Sequence, residues 1–252
     1  MSADAKKNRT DPMTPLDDLI GQYADMPPGN FRYCPGCGLG MAQSALMRAF
    51  HRLDLDISQV ASAGGSGCYA VMAHYFKSNH VHGSHGRACA VATGMKLANP
   101  ELTVLTLQGD GDCLAIGGNH LIHACRRNLD ITCLMLNNEV YGMTGGQVSP
   151  TTAENRLTTT TPSGNSEPAF DACKLAEAAG AGLVGREVTM QTPALRNLIK
   201  AGLEFDGFSF LEVMSDCTEI YGRKNDLGES AEMIMAQKSD MRPQAYTTIT
   251  DQ

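Results

Sequence analysis

Two short apolar segments of this chain each end in a polar turn, and this pair restricts the possible folds more than any other feature. Residues 103–108 lead into a Gly-Asp-Gly-Asp turn at 109–112, and residues 131–136 lead into an Asn-Asn pair at 137–138. If both segments are parallel strands, their carboxyl ends bring the two turns to one edge of a sheet. Carboxylate and amide oxygens suit magnesium, and glycines let backbone approach a phosphate closely. The pattern therefore predicts a site for a divalent metal and its bound diphosphate.

Apolar runs and helical periodicities alternate along the rest of the chain. Buried strands are predicted at 58–62, 103–108, 131–136, 182–188 and 208–214. Amphipathic helices are predicted at 40–53, 87–97, 115–127, 170–179 and 193–204. This alternation is typical of a doubly wound α/β fold with a mostly parallel sheet. Ligands of such folds lie beyond the carboxyl ends of the strands, so the turns after the strands are the predicted site.

Composition divides the chain into a central domain and two arms. Residues 1–30 are polar, contain four prolines and are predicted to form an extended N-terminal arm. Residues 31–217 form the predicted binding domain, and residues 218–252 form a C-terminal arm with one short helix. Within the domain, residues 142–168 are rich in Gly, Thr, Ser and Pro and show no periodicity. We expect a long loop there, and long loops in compact domains are usually functional or disordered.

Charge and hydropathy argue against several classes of partner. The formal net charge is −7 and the pI is about 5.4, which does not favour binding to nucleic acid. The chain has no run of 18 apolar residues, so we expect no membrane span. Its first residues lack the apolar core of a secretion signal. A reducing cytoplasm is the expected location, and a disulfide framework is not expected for the nine cysteines.

Four of the nine cysteines are placed to reach the predicted sheet edge. Cys34 and Cys37 form a CxxC pair, Cys68 follows a glycine-rich turn, and Cys217 follows the last predicted strand. Four thiolates can bind either a [4Fe–4S] cluster or a zinc ion, and cysteine positions alone do not choose between them. The other five lie in predicted helices or strands or at their ends and are expected to be buried apolar residues. They are Cys89, Cys113, Cys125, Cys133 and Cys173.

Several motifs resemble those of one enzyme family. The Gly-Asp-Gly turn followed by the Asn pair is similar to the motif that binds thiamine diphosphate. Over about residues 29–230, the sequence resembles the β subunit of 2-oxoacid:ferredoxin oxidoreductases. The matching segments are YCPGCG at 33–38, GSGC at 65–68, HGRA at 85–88, GMKLANP at 94–100, GDGD at 109–112, IGGNH at 116–120, RRN at 126–128, NNEVYGMTGGQ at 137–147, SPTT at 149–152 and YGRKN at 221–225.

This resemblance implies a fold and three sets of ligands. The fold is the thiamine diphosphate-binding fold of the type that holds the diphosphate. Mg²⁺ is expected to bind Asp110, Asn138 and the Val140 carbonyl. One [4Fe–4S] cluster is expected to bind Cys34, Cys37, Cys68 and Cys217, since a cluster beside thiamine can accept electrons and zinc cannot. Contacts with thiamine diphosphate are implied for Ser66, Gly67, Cys68, Tyr69, Gly109, Gly111, Asp112, Gly142, Met143, Thr144, Gly145, Gly146 and Gln147.

The sequence departs from the family pattern after Cys68. Many relatives have Ser at the next position and a basic residue shortly afterwards, whereas this chain has Tyr-Ala-Val at 69–71. A residue often thought to contact the substrate carboxylate is therefore missing. His85 and Arg87 are the candidate substrate-binding residues, because an anionic substrate needs hydrogen-bond donors. His74 and His80 lie in the same histidine-rich segment and are interpreted as surface or structural residues.

By the resemblance, the chain is expected to catalyse CoA-dependent oxidative decarboxylation of a 2-oxoacid, with electrons passing through the cluster to ferredoxin. Reverse carboxylation is also possible. Residues 217–225 look most like subunits that act on 2-oxoglutarate, which gives succinyl-CoA and CO₂. Pyruvate and branched-chain 2-oxoacids are the alternatives. The glutamate that activates thiamine is expected from an α subunit, so no catalytic residue is assigned here and the chain should be inactive alone.

Two other classes of protein remain open from the sequence. One is a subunit of a non-oxidative thiamine enzyme, such as a decarboxylase or a synthase, which would bind thiamine diphosphate without a cluster. The other is a zinc-stabilised assembly subunit, which would bind zinc without thiamine diphosphate. The metal, sulfide and cofactor content of the purified protein separates these classes from the oxidoreductase.

Overall fold

The computed structural model describes residues 14–25, 32–237 and 246–249. The strands are β1 (Val60–Gly64), β2 (Asn79–His82), β3 (Thr103–Gly109), β4 (Ile131–Asn137), β5 (Val140–Tyr141), β6 (Gln147–Val148), β7 (Leu183–Val188), β8 (Phe208–Met214) and β9 (Tyr246–Ile249). Seven of them form one sheet in the order β2-β1-β3-β4-β8-β7-β9. All neighbours in this sheet are parallel except β9, which is antiparallel to β7. Strands β5 and β6 form a separate antiparallel pair.

Eight α-helices connect or flank these strands in the described parts of the chain. They are α1 (Leu16–Tyr23), α2 (Leu39–Arg52), α3 (Ala70–Tyr75), α4 (Ala88–Ala98), α5 (Gly118–Arg127), α6 (Ala172–Ala178), α7 (Thr192–Glu204) and α8 (Ser230–Ala236). A 3₁₀ turn at Ile57–Gln59 precedes β1. Two π-helical turns, at Gly111–Ile116 and Thr218–Gly222, begin next to predicted ligands. Such turns are rare and are frequently found at functional sites.

The sheet separates two hydrophobic cores. The first core lies against α1, α2, α3 and α7, and it contains Leu105 and Leu107 of β3. The second core lies against α4, α5 and α6, and it contains Val104 of the same strand together with Cys133 and Met135 of β4. Successive side chains of a strand point to opposite faces, so both faces of the central strands are buried. This is why those strands appear in the sequence as uninterrupted apolar runs.

The structure confirms the predicted doubly wound α/β fold with a mostly parallel sheet. Strands β3, β4 and β8 lie within one residue of the predicted segments 103–108, 131–136 and 208–214. The predicted helix at 115–127 is divided, since the π-helical turn occupies its first residues and α5 begins at Gly118. The five cysteines expected to be buried are all buried. The long loop expected at 142–168 contains no helix, but strand β6 lies within it; residues 149–168 contain neither a helix nor a strand.

Six helices and strands of the described structure were not predicted, and two of them, β5 and β6, form the short antiparallel pair. Helix α3 and strand β2 lie between residues 69 and 83, for which no element was predicted. Helix α1 lies in the arm that was expected to be extended, and it inserts the buried side chains of Leu19 and Tyr23 into the first core. The C-terminal arm contains its predicted short helix as α8, and it also contributes β9 to the sheet. The remainder of both arms lies outside the described residues.

Candidate active site

A cavity of about 390 Å³ opens at the carboxyl ends of β1, β3 and β4. Its wall contains most of the predicted cofactor and metal residues, namely Ser66, Gly67, Cys68, Tyr69, His85, Gly109, Asp110, Gly111, Asp112, Asn138, Val140, Gly142, Met143 and Thr144. Seven predicted residues lie outside this wall: the cluster candidates Cys34, Cys37 and Cys217, together with Arg87, Gly145, Gly146 and Gln147. Four residues that were not predicted are part of it: Leu39, Ile116, Leu136 and Tyr141. The sheet edge at which the sequence predicted the site therefore contains a cavity.

Asp110 lies at the end of β3 with its side chain almost fully buried, at 2% exposure. Its Oδ2 accepts a hydrogen bond of 2.9 Å from the Thr151 hydroxyl. Burial raises the pKa of the Asp110 carboxyl to about 6, although hydrogen bonds from Ser149 and Thr151 act in the opposite direction. A buried carboxylate without a basic partner is costly when ionised. A cation beside it would remove that cost, as expected for a metal ligand.

Two further oxygen-bearing groups, the Asn138 amide and the Val140 carbonyl, lie beside this carboxylate. One terminal atom of the Asn138 amide lies 3.2 Å from Asp110 Oδ1 and 2.8 Å from the Val140 carbonyl oxygen. With the amide oxygen at that position, three acceptors face one another without a proton, which a hard cation among them would relieve. With the amide nitrogen there, the amide donates to both oxygens instead. The set of donor atoms therefore fits a divalent cation such as Mg²⁺.

A buried series of hydrogen bonds connects Asp110 to strands β7 and β8. The Thr151 hydroxyl also lies 2.8 Å from Asn137 Oδ1. Asn137 Nδ2 donates to Glu212 Oε1 on the adjacent strand β8, at 2.7 Å. Glu212 Oε2 in turn accepts a bond of 2.6 Å from Arg186 Nε on β7. The orientation of Asp110 is thus connected to an ion pair in the middle of the sheet.

Asp112 has its carboxylate occupied by protein donors. The Gly86 N–H donates to Oδ1, and Gln108 Nε2 donates to Oδ2 at 3.1 Å. His85 Nδ1 lies 3.0 Å from Oδ1 and 3.0 Å from the Ser66 carbonyl oxygen. Burial raises the pKa of Asp112, and these donors partly offset the effect. Contact between Asp112 and the cofactor stays a prediction: Asp112 lines the cavity, and its carboxylate is also joined to His85.

Gly111 requires its missing side chain. A Cβ atom there would lie 2.3 Å from ring atoms of Tyr141, whose hydroxyl donates to the Gly111 carbonyl at 3.2 Å. Tyr141 thus packs directly on the backbone of the Gly-Asp-Gly turn and fixes its position. This contact was not predicted, because Tyr141 was named in the sequence only as part of the matching segment 137–147.

The four predicted cluster ligands lie near one another. Burial raises the pKa of Cys37 to about 12, and each of the other three thiols, Cys34, Cys68 and Cys217, influences it electrostatically. Burial also raises the pKa values of Cys68 and Cys217. Among the described residues, no three His, Cys, Asp or Glu side chains are grouped closely enough to hold a single metal ion. The ligands of a [4Fe–4S] cluster bind different iron atoms, so they surround a larger volume than the ligands of one ion.

Gly142 lies beside two of these thiols. A Cβ atom on Gly142 would lie 3.4 Å from Cys217 Sγ and 3.8 Å from Cys68 Sγ. The same residue and Cys68 form part of the cavity wall. The predicted cluster site and the predicted cofactor site are therefore direct neighbours.

A second cavity of about 270 Å³ lies behind Asn138, which contributes to both cavities. Its wall includes Cys217, Asp216 and the charged side chains of Glu139 and Arg156. Burial raises the pKa of Asp216 to about 6, and its Oδ2 accepts a hydrogen bond from Gln237. This cavity has both charged and apolar side chains in its wall and was not predicted from the sequence.

The histidine-rich segment is a cluster beside the cavity. The rings of His74, His80 and His82 have centroids 5.6–6.2 Å apart. His80 Nδ1 lies 2.9 Å from the Ser62 hydroxyl, and burial together with the two neighbouring rings lowers the pKa of His80 to about 4. His80 is thus held by the protein, in agreement with a structural role. Arg87 is the N-terminal flanking residue of α4, and its Nη1 donates to the His85 carbonyl at 3.3 Å.

Comparison with known proteins defines the class. The family model of the thiamine pyrophosphate enzyme C-terminal TPP binding domain matches residues 59–213, which contain the whole parallel sheet from the end of the 3₁₀ turn to β8. The fold and the cavity are therefore those of a thiamine diphosphate-binding enzyme domain.

Similar proteins narrow this class. The 2-oxoglutarate synthase subunit KorB of Methanothermobacter marburgensis is 44% identical over 208 residues, which are 82% of this chain and 73% of that protein. The 2-oxoglutarate oxidoreductase subunit KorB of Mycobacterium tuberculosis is 39% identical over 74% of this chain and 50% of its own length. A solved 2-oxoglutarate:ferredoxin oxidoreductase from Magnetococcus marinus, with 2-oxoglutarate, coenzyme A and succinyl-CoA bound, superposes with a TM-score of 0.80 at 28% identity. That match covers 92% of this chain and 85% of the other. The chain belongs to the KorB family of 2-oxoacid oxidoreductase β subunits.

No helix in the described ranges 14–25 and 32–237 is long and apolar enough to cross a membrane.

Proposed function

We propose that this chain is the thiamine diphosphate-binding β subunit of a 2-oxoglutarate:ferredoxin oxidoreductase. The reaction is the CoA-dependent oxidative decarboxylation of 2-oxoglutarate to succinyl-CoA and CO₂. One observation carries the proposal: the cavity that contains Asp110, Asn138 and Val140 meets the thiols of Cys68 and Cys217 at Gly142, at one edge of the sheet. A thiamine enzyme that passes electrons to a cluster needs both sites side by side.

The oxygen-lined part of the cavity fits Mg²⁺ and a diphosphate. Asp110, Asn138 and the Val140 carbonyl would hold the cation, since one end of the Asn138 amide lies 3.2 Å from Asp110 Oδ1 and 2.8 Å from the Val140 carbonyl oxygen. Bound thiamine diphosphate supplies a nucleophilic carbon and an electron sink. Gly111 and the backbone of 142–144 would lie against the diphosphate and the thiazolium ring, because they form the cavity wall beside the cation ligands.

The four thiols fit a [4Fe–4S] cluster. Cys34, Cys37, Cys68 and Cys217 are neighbours, and their number is that required by one cubane cluster. Their raised pKa values mean that iron has to displace protons from buried thiols, as metal binding by cysteine generally does. The cluster would supply a one-electron acceptor for the reaction. Cytoplasmic ferredoxin is the proposed electron carrier beyond it.

The cavity is incomplete without another chain. Met143 and Ile116 belong to its wall and are 56% and 51% exposed. Large exposed apolar side chains at the rim of a cavity mark a surface that a partner covers. We propose that an α subunit covers this rim and supplies the glutamate that activates thiamine. The designation of the relatives as subunits supports this assembly.

The substrate assignment follows the relatives. Several matched proteins are called 2-oxoglutarate synthases or oxidoreductases, and the solved neighbour contains 2-oxoglutarate and coenzyme A. Assays of the assembled complex with 2-oxoglutarate, pyruvate and branched-chain 2-oxoacids, using CoA and a ferredoxin, should show the highest kcat/KM with 2-oxoglutarate. A clear preference for pyruvate would reject this substrate while leaving the reaction type intact.

Cys217→Ser tests the cluster. In complex purified without oxygen, wild type should contain about four iron and four sulfide per chain from this site, and Cys217→Ser should lose most of them. Cys125→Ala, in the second core, is the matched control and should retain full iron content. Thiamine diphosphate bound to wild-type complex without iron and sulfide would instead identify a non-oxidative thiamine enzyme.

Asp110→Ala tests the cation site. Magnesium-dependent binding of thiamine diphosphate, measured by calorimetry on the assembled complex, should weaken at least tenfold. Asp206→Ala, an exposed carboxylate in the turn before β8, should leave this affinity unchanged. Unaltered cofactor affinity in Asp110→Ala would remove Asp110 from the set of cation ligands.

A further inference from the structure

The hydrogen bonds around His85 determine which ring nitrogen carries the proton. Nδ1 lies 3.0 Å from Asp112 Oδ1 and 3.0 Å from the Ser66 carbonyl oxygen. Both partners are acceptors, so Nδ1 has to be the donor. In the neutral ring this leaves Nε2 without a hydrogen and with its lone pair available. The structure gives Nε2 no partner among the described residues, and His85 belongs to the cavity wall.

Asp112 is held too firmly to follow a ligand. Both carboxylate oxygens of Asp112 accept hydrogen bonds from the protein. A Cβ atom on Gly65 would lie 2.4 Å from Oδ1, so the backbone of the turn that follows β1 packs directly against this oxygen. Gln108, which donates to Oδ2, is itself oriented by the Cys89 thiol, 3.1 Å from its Oε1. The carboxylate is therefore a fixed acceptor behind the imidazole. A carboxylate in this position sets the tautomer and orientation of a histidine and stabilises its cationic form.

We infer that Asp112 is a positioning residue and that it makes His85 Nε2 the proton donor and acceptor for the oxygen of the substrate's 2-carbonyl group. This inference rests on the proposed function, because it assigns a role within that reaction. His85 is a little over one-quarter exposed, so its Nε2 can exchange protons with solvent before the substrate binds.

The proton transfer balances without any further reactant. When a nucleophile adds to the 2-carbonyl carbon, the π-electron pair of the C=O bond moves to oxygen, and protonated His85 gives that oxygen its Nε2 proton. The ring becomes neutral while Nδ1–H stays bonded to Asp112. The carbonyl re-forms in the thioester product after CO₂ has left and the electron acceptor of the proposed function has taken two electrons. The bond to the nucleophile then breaks with its electron pair going to the nucleophile, and the oxygen returns the proton to Nε2. General acid–base catalysis of this kind contributes typically about 10²–10⁴-fold to a rate.

The tautomer of His85 can be measured without cofactor or turnover. Histidines of the chain are labelled with ¹⁵N, and ring nitrogens are observed by NMR near pH 9, about where ordinary histidines are neutral. The signals that are present in the wild-type spectrum and missing from the spectrum of His85→Gln belong to His85. We expect Nδ1 protonated and Nε2 unprotonated in wild type, and a shift toward the other tautomer in Asp112→Asn. Wild-type His85 with its proton on Nε2 overturns the positioning role, even if Asp112→Asn does not fold.

Turnover of the assembled complex tests the proton transfer. His85→Ala should lower kcat by about 10²–10³-fold with KM for 2-oxoglutarate within threefold, and added imidazole should restore activity at least tenfold. Asp112→Asn should lower kcat without rescue by imidazole. His123→Gln, on the exposed face of α5, is the control and should behave as wild type.

The two readouts separate failure of this inference from failure of the proposed function. A His85→Ala complex within threefold of wild-type kcat, or one that imidazole does not restore, overturns the proton-transfer role. Wild-type complex that reduces no acceptor with any 2-oxoacid overturns the proposed function and, with it, the proton transfer. In that case the tautomer measurement still decides whether Asp112 positions His85.

Discussion

Replacing Arg186 with Met should destabilise the chain far more than loss of a surface ion pair. Arg186 donates from Nε to Glu212 at 2.6 Å and from Nη2 to Asp171 at 2.8 Å. Glu212 is only 2% exposed, whereas Asp171 is about one-third exposed and can return to water. The loss of stability therefore arises mainly at Glu212, whose carboxylate would remain buried with Asn137 as its principal hydrogen-bond donor.

The loss of stability in Arg186→Met depends on the hydrogen bonds that Glu212 keeps. Removing one partner of a buried ion pair costs about 3–5 kcal/mol, and the bond from Asn137 places this case near the lower end, at about 3 kcal/mol. For a chain of this size, each kcal/mol corresponds to about 2–4 °C in melting temperature, so Arg186→Met should melt about 6–12 °C below wild type. Urea unfolding followed by circular dichroism, with thermal scans as a second measure, gives both quantities.

A double-mutant cycle isolates the pair. Glu212→Gln in the Arg186→Met background removes the unpaired charge, so the double variant should recover about 2 kcal/mol of the loss. Lys200→Met removes the exposed Lys200–Glu204 pair of α7 and should cost less than about 0.5 kcal/mol. If Arg186→Met were no more destabilising than Lys200→Met, the reasoning from burial would be refuted.

Two further predictions concern the cation site and its turn. Gly111→Ala should destabilise the chain by about 1–3 kcal/mol in urea unfolding because its Cβ would overlap the Tyr141 ring, whereas Gly118→Ala, where a Cβ meets nothing within 4 Å, should not. Magnesium affinity should fall as pH falls through about 6, the raised pKa of Asp110, because only the ionised carboxylate binds the cation. Calorimetric affinities at pH 7.5 and 5.0 should differ by about tenfold, and equal affinities would contradict the assignment.

The sequence predicted the central strands well because burial on both faces leaves a continuous apolar run. Strands β3, β4 and β8 are of this kind. Strand β2 was missed for the opposite reason: it is the edge strand Asn-His-Val-His, and its one apolar side chain, Val81, is 44% exposed. Helix α3 has six residues, too few to display a helical period. Edge strands and short helices depend on tertiary contacts that local patterns do not record.

Part of the candidate site could likewise be predicted from the sequence, and part could not. Glycines, carboxylates and amides that follow the predicted strands could be placed at the sheet edge from strand order alone. The partners that hold them could not, because Thr151, Arg186 and Glu212 reach the Asp110 group from distant parts of the chain. His85 was recognised as a candidate for substrate binding, but its bond to Asp112 joins residues 27 positions apart, and no periodicity links them.

In the proposed function, electrons pass from the cofactor cavity to the cluster near Gly142. Gly142 and Cys68 line the cavity, and a Cβ atom on Gly142 would lie 3.4 Å from Cys217 Sγ, so the proposed cofactor and cluster would have little protein between them. Electron tunnelling rates fall steeply with distance, so a short separation would favour rapid transfer to the cluster. A Cβ atom on Gly142 would be in van der Waals contact with the Cys217 and Cys68 sulfurs, which leaves no room for a longer side chain in that direction. The lack of a side chain at Gly142 would thus help to keep the two proposed redox centres close together.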